Sequence, residues 1–386
     1  MSHYVGVDVG TGSVRAAVLK KEEGGLVKLL STSVKAITIY NDCANNFEQS
    51  SQEIWAAVVS TITQVIKTSS ISPHDVKGIG FDATCSLVAL NKNFDPICIS
   101  PLHKDKNKKA EREDCRNIIM WMDHRATQEA ELINQTNHSL LQFVGGAISV
   151  EMEMPKVLWL KKNLPEQSLC SLVCKWAYDA SKGSLTDHHW NDEFLTQIGL
   201  ADLITDNHAK LGEEVEAPGE AVGNGLSVSA AEELGLLPGT PVGTSLIDAH
   251  AGGIGMLICR PKDLSSCSVS VENKLGLICG TSSCHMAVSK HPAYIPGVWG
   301  PYFSAMVPGM WLNEGGQSAT GKLIDHILET HPAYFTLKEC GESFSTLSTL
   351  IEQLAIAKGV AEYQLTKDLH VYPDFHGNRS PWPTLT

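Results

Sequence analysis

Two related α/β domains facing one cleft are the fold that this sequence predicts. Three observations point to it. The stretch Gly6-Val-Asp-Val-Gly-Thr-Gly-Ser-Val-Arg-Ala-Ala-Val-Leu-Lys20 recurs without a gap as Gly276-Leu-Ile-Cys-Gly-Thr-Ser-Ser-Cys-His-Met-Ala-Val-Ser-Lys290. Each copy reads as apolar strand, Gly-Thr-Gly/Ser turn, apolar strand, which is a hairpin signal. Between the copies, a helical run and a short buried run give strand–helix–strand, which implies a parallel sheet with a crossover.

In chain order, residues 51–66 carry apolar side chains at 54, 58, 62, 65 and 66, which is helical spacing. Ser50 or Ser51 caps that helix, with Glu53 close behind. Lys77-Gly-Ile-Gly-Phe-Asp82 reads as a strand that delivers Asp82 to its end. Residues 115–142 read as helical, and 219–225 as a glycine-rich connection. A helix ends at Gly235 before a turn into a strand, and the domain boundary is expected near there, giving 1–240 and 241–386. Ser318–His331 is expected to be a helix entered through Glu314-Gly-Gly-Gln317, and 343–359 another.

Composition narrows the function. The chain has 386 residues, 43% of them apolar and 19% charged. A net charge of −13 argues against a nucleic-acid surface, and the basic cluster Lys104–Lys109 is broken by acids. No stretch reaches the roughly 18 apolar residues of a membrane span. No secretory leader is visible, so a cytoplasmic protein is expected. The eleven cysteines show no framework and read as free thiols of a reducing compartment. Asn134-Gln-Thr and Asn137-His-Ser match a glycosylation pattern that means little without secretion.

The turns can approach a phosphate chain closely, because glycine and hydroxyl residues leave the backbone N–H groups accessible. They are not a P-loop, since no GxxxxGK[ST] occurs. Asp8 stands just before the first turn, and Ile278 replaces it in the second. A carboxylate beside a phosphate cradle either meets a cation such as Mg²⁺ or caps the turn. Asp248 ends the apolar run of Gly243-Thr-Ser-Leu-Ile-Asp248. There it is either a base that takes a hydroxyl proton or a helix N-cap. His250 reads as packed rather than catalytic. Trp121-Met-Asp-His-Arg125 is helix-like. It offers Asp123 and Arg125 to sugar hydroxyls and Trp121 to a sugar face, or it is an ordinary salt-bridged surface. Lys175 is a buried-cation candidate, and Glu314 an acid at a helix entrance.

The paired hairpins, Ile247-Asp-Ala-His-Ala-Gly-Gly253 and Gly315-Gly-Gln-Ser-Ala-Thr-Gly321 together resemble the FGGY carbohydrate kinases, and within them the ribulokinase-like branch. The resemblance implies two actin-like (ribonuclease-H-like) domains with the site between them. It implies transfer of phosphate from ATP, with Mg²⁺, to a pentulose, D-ribulose giving D-ribulose 5-phosphate being the expected reaction. Carried over by position, Asp8 matches the acid near Mg²⁺. Gly10, Thr11, Gly12 and Ser13 match the first phosphate loop, and Gly280, Thr281 and Ser282 the second. Gly315, Gly316 and Gln317 fall where the nucleotide side begins. Asp248 matches the catalytic base. The segment holding Asp82, Ala83 and Cys85 matches the floor of the sugar pocket, and Lys175 and Glu314 match residues that hold the ketose.

The resemblance also implies two departures. The first domain is shortened near 163–168, and family members continue past Asn378-Arg-Ser-Pro381. The expectation is a truncated or alternatively spliced form with an incomplete second domain. The alternative to a working kinase is then an impaired form that binds sugar, pairs with itself or associates with a longer form.

Overall fold

The computed structural model describes residues 2–100, 115–164, 190–211, 216–258, 269–339, 343–375, 377, 379 and 380. The first repeat forms the hairpin β1 (Ser2–Val9) and β2 (Ser13–Lys21), and β3 (Val27–Ala36) pairs antiparallel to β2. After β4 (Glu48–Gln49) comes α1 (Ser51–Ser69), then β5 (Val76–Ala83), which runs parallel to β1. Side chains alternate along β1 and β2, so Val5, Val7, Val14, Ala16 and Val18 share one buried face. That face packs on Ala57, Val58, Ile62 and Val65 of α1. Ser50 is the N-cap residue of α1, but its hydroxyl makes no capping bond. Glu53 does not close a capping box either, because its carboxylate accepts from the N–H and hydroxyl of Thr38.

The short strands β6 (Leu87–Val88) and β7 (Ile118–Ile119) join β4 in a small sheet. A single helix over 115–142 is not what forms. Residues 120–125 are a turn, and only α2 (Thr127–Gln135) and a 3₁₀ turn at Ser139–Phe143 are helical. The cause lies outside the segment: the buried ammonium of Lys156 donates to the carbonyls of Met120 and Trp121, which a helix would need for itself. Lys156 belongs to α3 (Glu153–Asn163). α4 (Asp192–Gln197), the single turn α5 (Thr205–His208) and α6 (Val228–Leu234) follow. α6 ends at Gly235 in the left-handed region, φ 67°, as the sequence predicts. Cys98 and Cys115 are not free thiols. The Ile99 N–H donates to Arg116 O at 2.9 Å, which lays the two segments side by side, and the two cysteines form a disulfide.

β8 (Leu246–Ile247) completes a five-stranded sheet of order β3-β2-β1-β5-β8, and α7 (Asp248–Ile258) starts directly at its end. This sheet takes residues from both sides of position 240, since Val242 already bridges to Ile79. The second repeat forms β9 (Gly276–Cys279) and β10 (Ser283–Ser289). With β11 (Trp299–Phe303) and β12 (Trp311–Gln317) they build a four-stranded sheet of order β11-β12-β10-β9. Glu314 is therefore in mid-strand, not at a helix entrance; the helix α8 (Gly321–Thr330) starts four positions after β12 ends. α9 (Tyr334–Glu339) and α10 (Ser343–Lys358) follow.

Two cores result. One lies between the five-stranded sheet, α1 and α6. The other joins described residues between Leu87 and Leu211 to the second sheet through Met286, Val288, Trp299, Tyr302 and Leu312. No described helix is long and apolar enough to cross a membrane.

Candidate active site

β1, β5 and β8 run parallel, and their C-terminal ends carry Asp8, Asp82 and, one residue past β8, Asp248. The register sets Asp8 beside Asp82, and Ala83 beside Ile247. The carboxyl ends of parallel strands are where open α/β sheets bind ligands. Here they open into a cavity of about 460 Å³ between the two sheets. Its wall holds Asp8, Gly10, Thr11 and Gly12 from the first turn and Gly280, Thr281 and Ser282 from the second. Asp248 and Glu314 line the same cavity, as does Cys85.

The two turns are fixed differently. In the first, Gly10 N–H donates to Ser13 O at 3.0 Å. Thr11 is held from outside the hairpin, its carbonyl by the amide of Gln49 (2.9 Å) and its hydroxyl by the indole N–H of Trp121 (3.1 Å). In the second, Gly280 N–H donates to Ser282 O at 2.8 Å. The carbonyls of Gly280 and Thr281 accept from the N–H groups of Gly321 and Thr320 at the start of α8. A Cβ on Gly321 would collide with the Gly280 carbonyl, so this approach requires glycine.

Electrostatics concentrate at the first turn. Asp8 pairs with Arg15 across the hairpin, Nη1 to Oδ2 at 2.8 Å. Burial, with the charges of Asp8 and Asp248 next, pushes the Asp82 carboxyl up from 3.8 to about 8. Asp248 Oδ1 accepts from the N–H of Ala249 at 2.7 Å, at the positive end of α7. Asp8, Asp82 and Asp248 stand at one edge, and a hard divalent cation near Asp8 would offset the repulsion that adds to burial in raising Asp82. Among the described residues, no cluster of three or more such groups stands at ligand distance, so water and phosphate oxygens would complete the shell.

Other expected residues lie elsewhere. Asp82, Ala83 and Ser13 are at the edge but outside the cavity wall. Asp123 and Arg125 are buried in the fold. Arg125 bonds both Asp123 oxygens and Glu48, and Asp123 accepts from the N–H of Phe47 at 2.6 Å, so these groups are already engaged away from the cavity. Gly315 and Gly316 lie in β12, and Gln317 donates to Pro373 O and Asp374. Lys175 lies outside the described residues.

The cavity also holds residues that the sequence did not announce. Arg379 reaches it from the far end of the chain. Its Nε donates to Glu151 at 2.5 Å, and its guanidinium lies 4.9 Å from the Trp121 ring and 6.0 Å from that of Trp299. Burial alone would raise Glu151, yet Arg379 and His124 hold it down at about 2. The signal available was Asn378-Arg-Ser-Pro381, an arginine inside a turn motif, but nothing local names its partner.

Comparison with known proteins agrees with this geometry. Residues 3–171 match the N-terminal domain, and residues 275–384 the C-terminal domain, of the FGGY family of carbohydrate kinases. A human FGGY carbohydrate kinase domain-containing protein is 47% identical over all of this chain and 71% of its own length. The chain belongs to the FGGY family of carbohydrate kinases. A D-ribulokinase of Saccharomyces cerevisiae is 37% identical over 98% of the chain and 58% of its own length. Among solved structures, a xylulose kinase from Rhodospirillum rubrum superposes with a TM-score of 0.70 at 16% identity, covering 99% of this chain and 72% of that one. A Plasmodium falciparum glycerol kinase with ADP gives 0.60 at 15% identity, over 86% and 65%. This FGGY chain thus has the two-domain, actin-like (ribonuclease-H-like) α/β fold of the sugar kinases, and the cavity lies between its five-stranded and four-stranded sheets.

Proposed function

We propose that this chain is an ATP-dependent pentulose kinase, with D-ribulose the first substrate to test. One observation carries the reading: two Gly-Thr turns from opposed sheets and the carboxylate of Asp248 meet on one cavity. The D-ribulokinase relative supports the choice of sugar. In this reading the backbone of both turns binds the phosphates of ATP. Asp248 accepts the proton of the attacking hydroxyl as its oxygen bonds to the γ-phosphorus and the bond to ADP breaks. Glu314 and the Trp121–Arg379 wall face the sugar, and Cys85 lies on the floor. Asp8 would hold Mg²⁺, mostly through water. When bound, that ion neutralises phosphate charge.

A second reading, binding without transfer, has one observation in its favour. α8 buries none of its side chains, and Ile324, Ile327, Leu350 and Leu354 are exposed on α8 and α10. The deciding experiment is phosphorylation of D-ribulose by the purified chain with ATP and Mg²⁺, with D-xylulose, L-ribulose and glycerol as competitors. We expect turnover on D-ribulose, reduced about 10²–10⁴-fold in Asp248→Asn. An unimpaired Asp248→Asn would remove the base assignment. Sugar binding with no turnover in the wild type would favour the second reading.

A further inference from the structure

Three groups from outside the first hairpin hold its turn. The amide of Gln49 donates to the Thr11 carbonyl at 2.9 Å, and the N–H of Ile37 to the Gly12 carbonyl at 3.1 Å. The indole N–H of Trp121 donates to the Thr11 hydroxyl at 3.1 Å. A trans peptide group is planar, with its C=O and N–H opposed. Gln49, which is not on the cavity wall, therefore turns the Gly12 N–H away from itself, in a turn whose Thr11 and Gly12 are on that wall. Trp121 lines the same wall and is itself held from several sides. Its carbonyl accepts from the buried ammonium of Lys156 at 2.7 Å, and its backbone N–H donates to the Ser86 hydroxyl at 3.1 Å. The Arg379 guanidinium lies 4.9 Å from its ring. A side chain already fixed in this way gives up little further freedom when its N–H makes a bond. Indole only donates, whereas a hydroxyl both donates and accepts. The indole N–H takes a lone pair of the Thr11 hydroxyl, so the hydroxyl's own hydrogen is directed away from Trp121. Phosphate oxygens are acceptors, which suits that hydrogen.

We infer that Trp121 is a positioning residue for the first phosphate turn: its indole N–H orients the Thr11 hydroxyl, which then donates to a phosphate oxygen of ATP. The inference rests on the reading of this cavity as the site of a sugar kinase. It gives a tryptophan on the sugar wall a part in holding the nucleotide, which packing against a sugar face does not require. Loss of the indole N–H is therefore felt in nucleotide affinity and not in sugar affinity.

The test has two arms. In the first, a non-hydrolysable ATP analogue with Mg²⁺ is titrated calorimetrically into the purified chain without sugar. Trp121→Phe keeps an aromatic ring and loses the N–H, Thr11→Val keeps the shape and loses the hydroxyl, and Thr11→Ser keeps the hydroxyl. One such hydrogen bond is worth about a three- to tenfold change in affinity. We expect Trp121→Phe and Thr11→Val each to weaken the analogue by about that factor. Their double variant should be no weaker than Thr11→Val, and Thr11→Ser should bind like wild type. Unchanged affinity in Trp121→Phe, or losses that add in the double variant, overturns the inference. Should Trp121→Phe not fold, Thr11→Val against Thr11→Ser reads the same hydroxyl, and equal affinity in those two overturns it. The second arm is turnover on D-ribulose, where Trp121→Phe should raise the KM for ATP and leave the KM for sugar unchanged. A rise confined to the sugar KM overturns the inference. A chain that shows the expected pattern with the analogue but phosphorylates no ketopentose keeps the positioning role and sinks the substrate reading instead.

Discussion

The two hairpins began as one pattern and end as two devices. Asp8 faces Arg15 across the first, and Val9 faces Val14. In the second, Cys279 faces Ser283 and Ile278 faces Cys284. The repeats align without a gap, but the second closes one residue tighter, because Gly280 bonds to Ser282 where Gly10 bonds to Ser13. A slip of one residue exchanges the faces of a strand. The first hairpin thus brings a charged pair to the cavity, and the second brings an isoleucine and a thiol. Their supports differ too. The first turn hangs on side chains, Gln49 and Trp121, and lies on a sheet whose core is covered by α1 and α6. The second hangs on backbone groups at the start of α8, a helix with no buried side chain.

The contrast can be broken at the joint between the halves. Arg379 and Glu151 form the buried ion pair that ties the Trp121 side to Trp299 and Cys284. We expect Arg379→Leu to cost about 3–5 kcal/mol by leaving the buried Glu151 charged without its guanidinium partner. A fall in Tm of the order of 10 °C follows. The double variant with Glu151→Leu should recover part of it. A calorimetric scan in which Arg379→Leu melts like wild type would show that the halves hold together without this pair.

A smaller effect sharpens the difference between the turns. Gly321→Ala forces a Cβ into the Gly280 carbonyl, whereas a Cβ on Gly12 meets nothing within 4 Å. Overpacking of this kind costs about 1–3 kcal/mol. We expect Gly321→Ala to raise the KM for ATP about tenfold and to lower Tm, and Gly12→Ala to leave Tm unchanged. Equal Tm losses in the two variants would mean that the turns are supported alike.

The smallest expected effect isolates the carboxylates that only the first sheet has. Asp82 is raised from 3.8 to about 8 in the fold, so the native chain holds a proton that the unfolded chain releases. Stability from this group is present at acid pH and declines as pH rises through that window. Asp82→Asn should raise Tm by a few degrees near pH 8.5, with the gain fading toward pH 4. A constant offset across the range would place the strain elsewhere.

Local signals carried much of this molecule. Alternation in β1 and β2, helical spacing in α1 and the Gly235 stop are visible in the residues, because each depends on neighbours a few positions away. So are both turns and Asp248, whose place at a strand end is written in the apolar run before it. Glu314 was visible as an acid before two glycines, but its position in mid-strand depends on pairing with Met286 and Trp299. Trp121–Arg125 reads as helical until the buried Lys156 takes the carbonyls of Met120 and Trp121.

What the sequence determined by itself is therefore the set of elements, the repeated turn and the acids at strand ends. The tertiary structure decided the register of the second hairpin, the removal of Asp123 and Arg125 into a buried network, and the meeting of Arg379 with Glu151 and of His250 with Glu314. The deciding contacts, such as Arg125 with Glu48, His250 with Glu314 and Arg379 with Glu151, join residues dozens to hundreds of positions apart. Desolvation and pairing across such distances fix them, and periodicity along the chain carries no record of either.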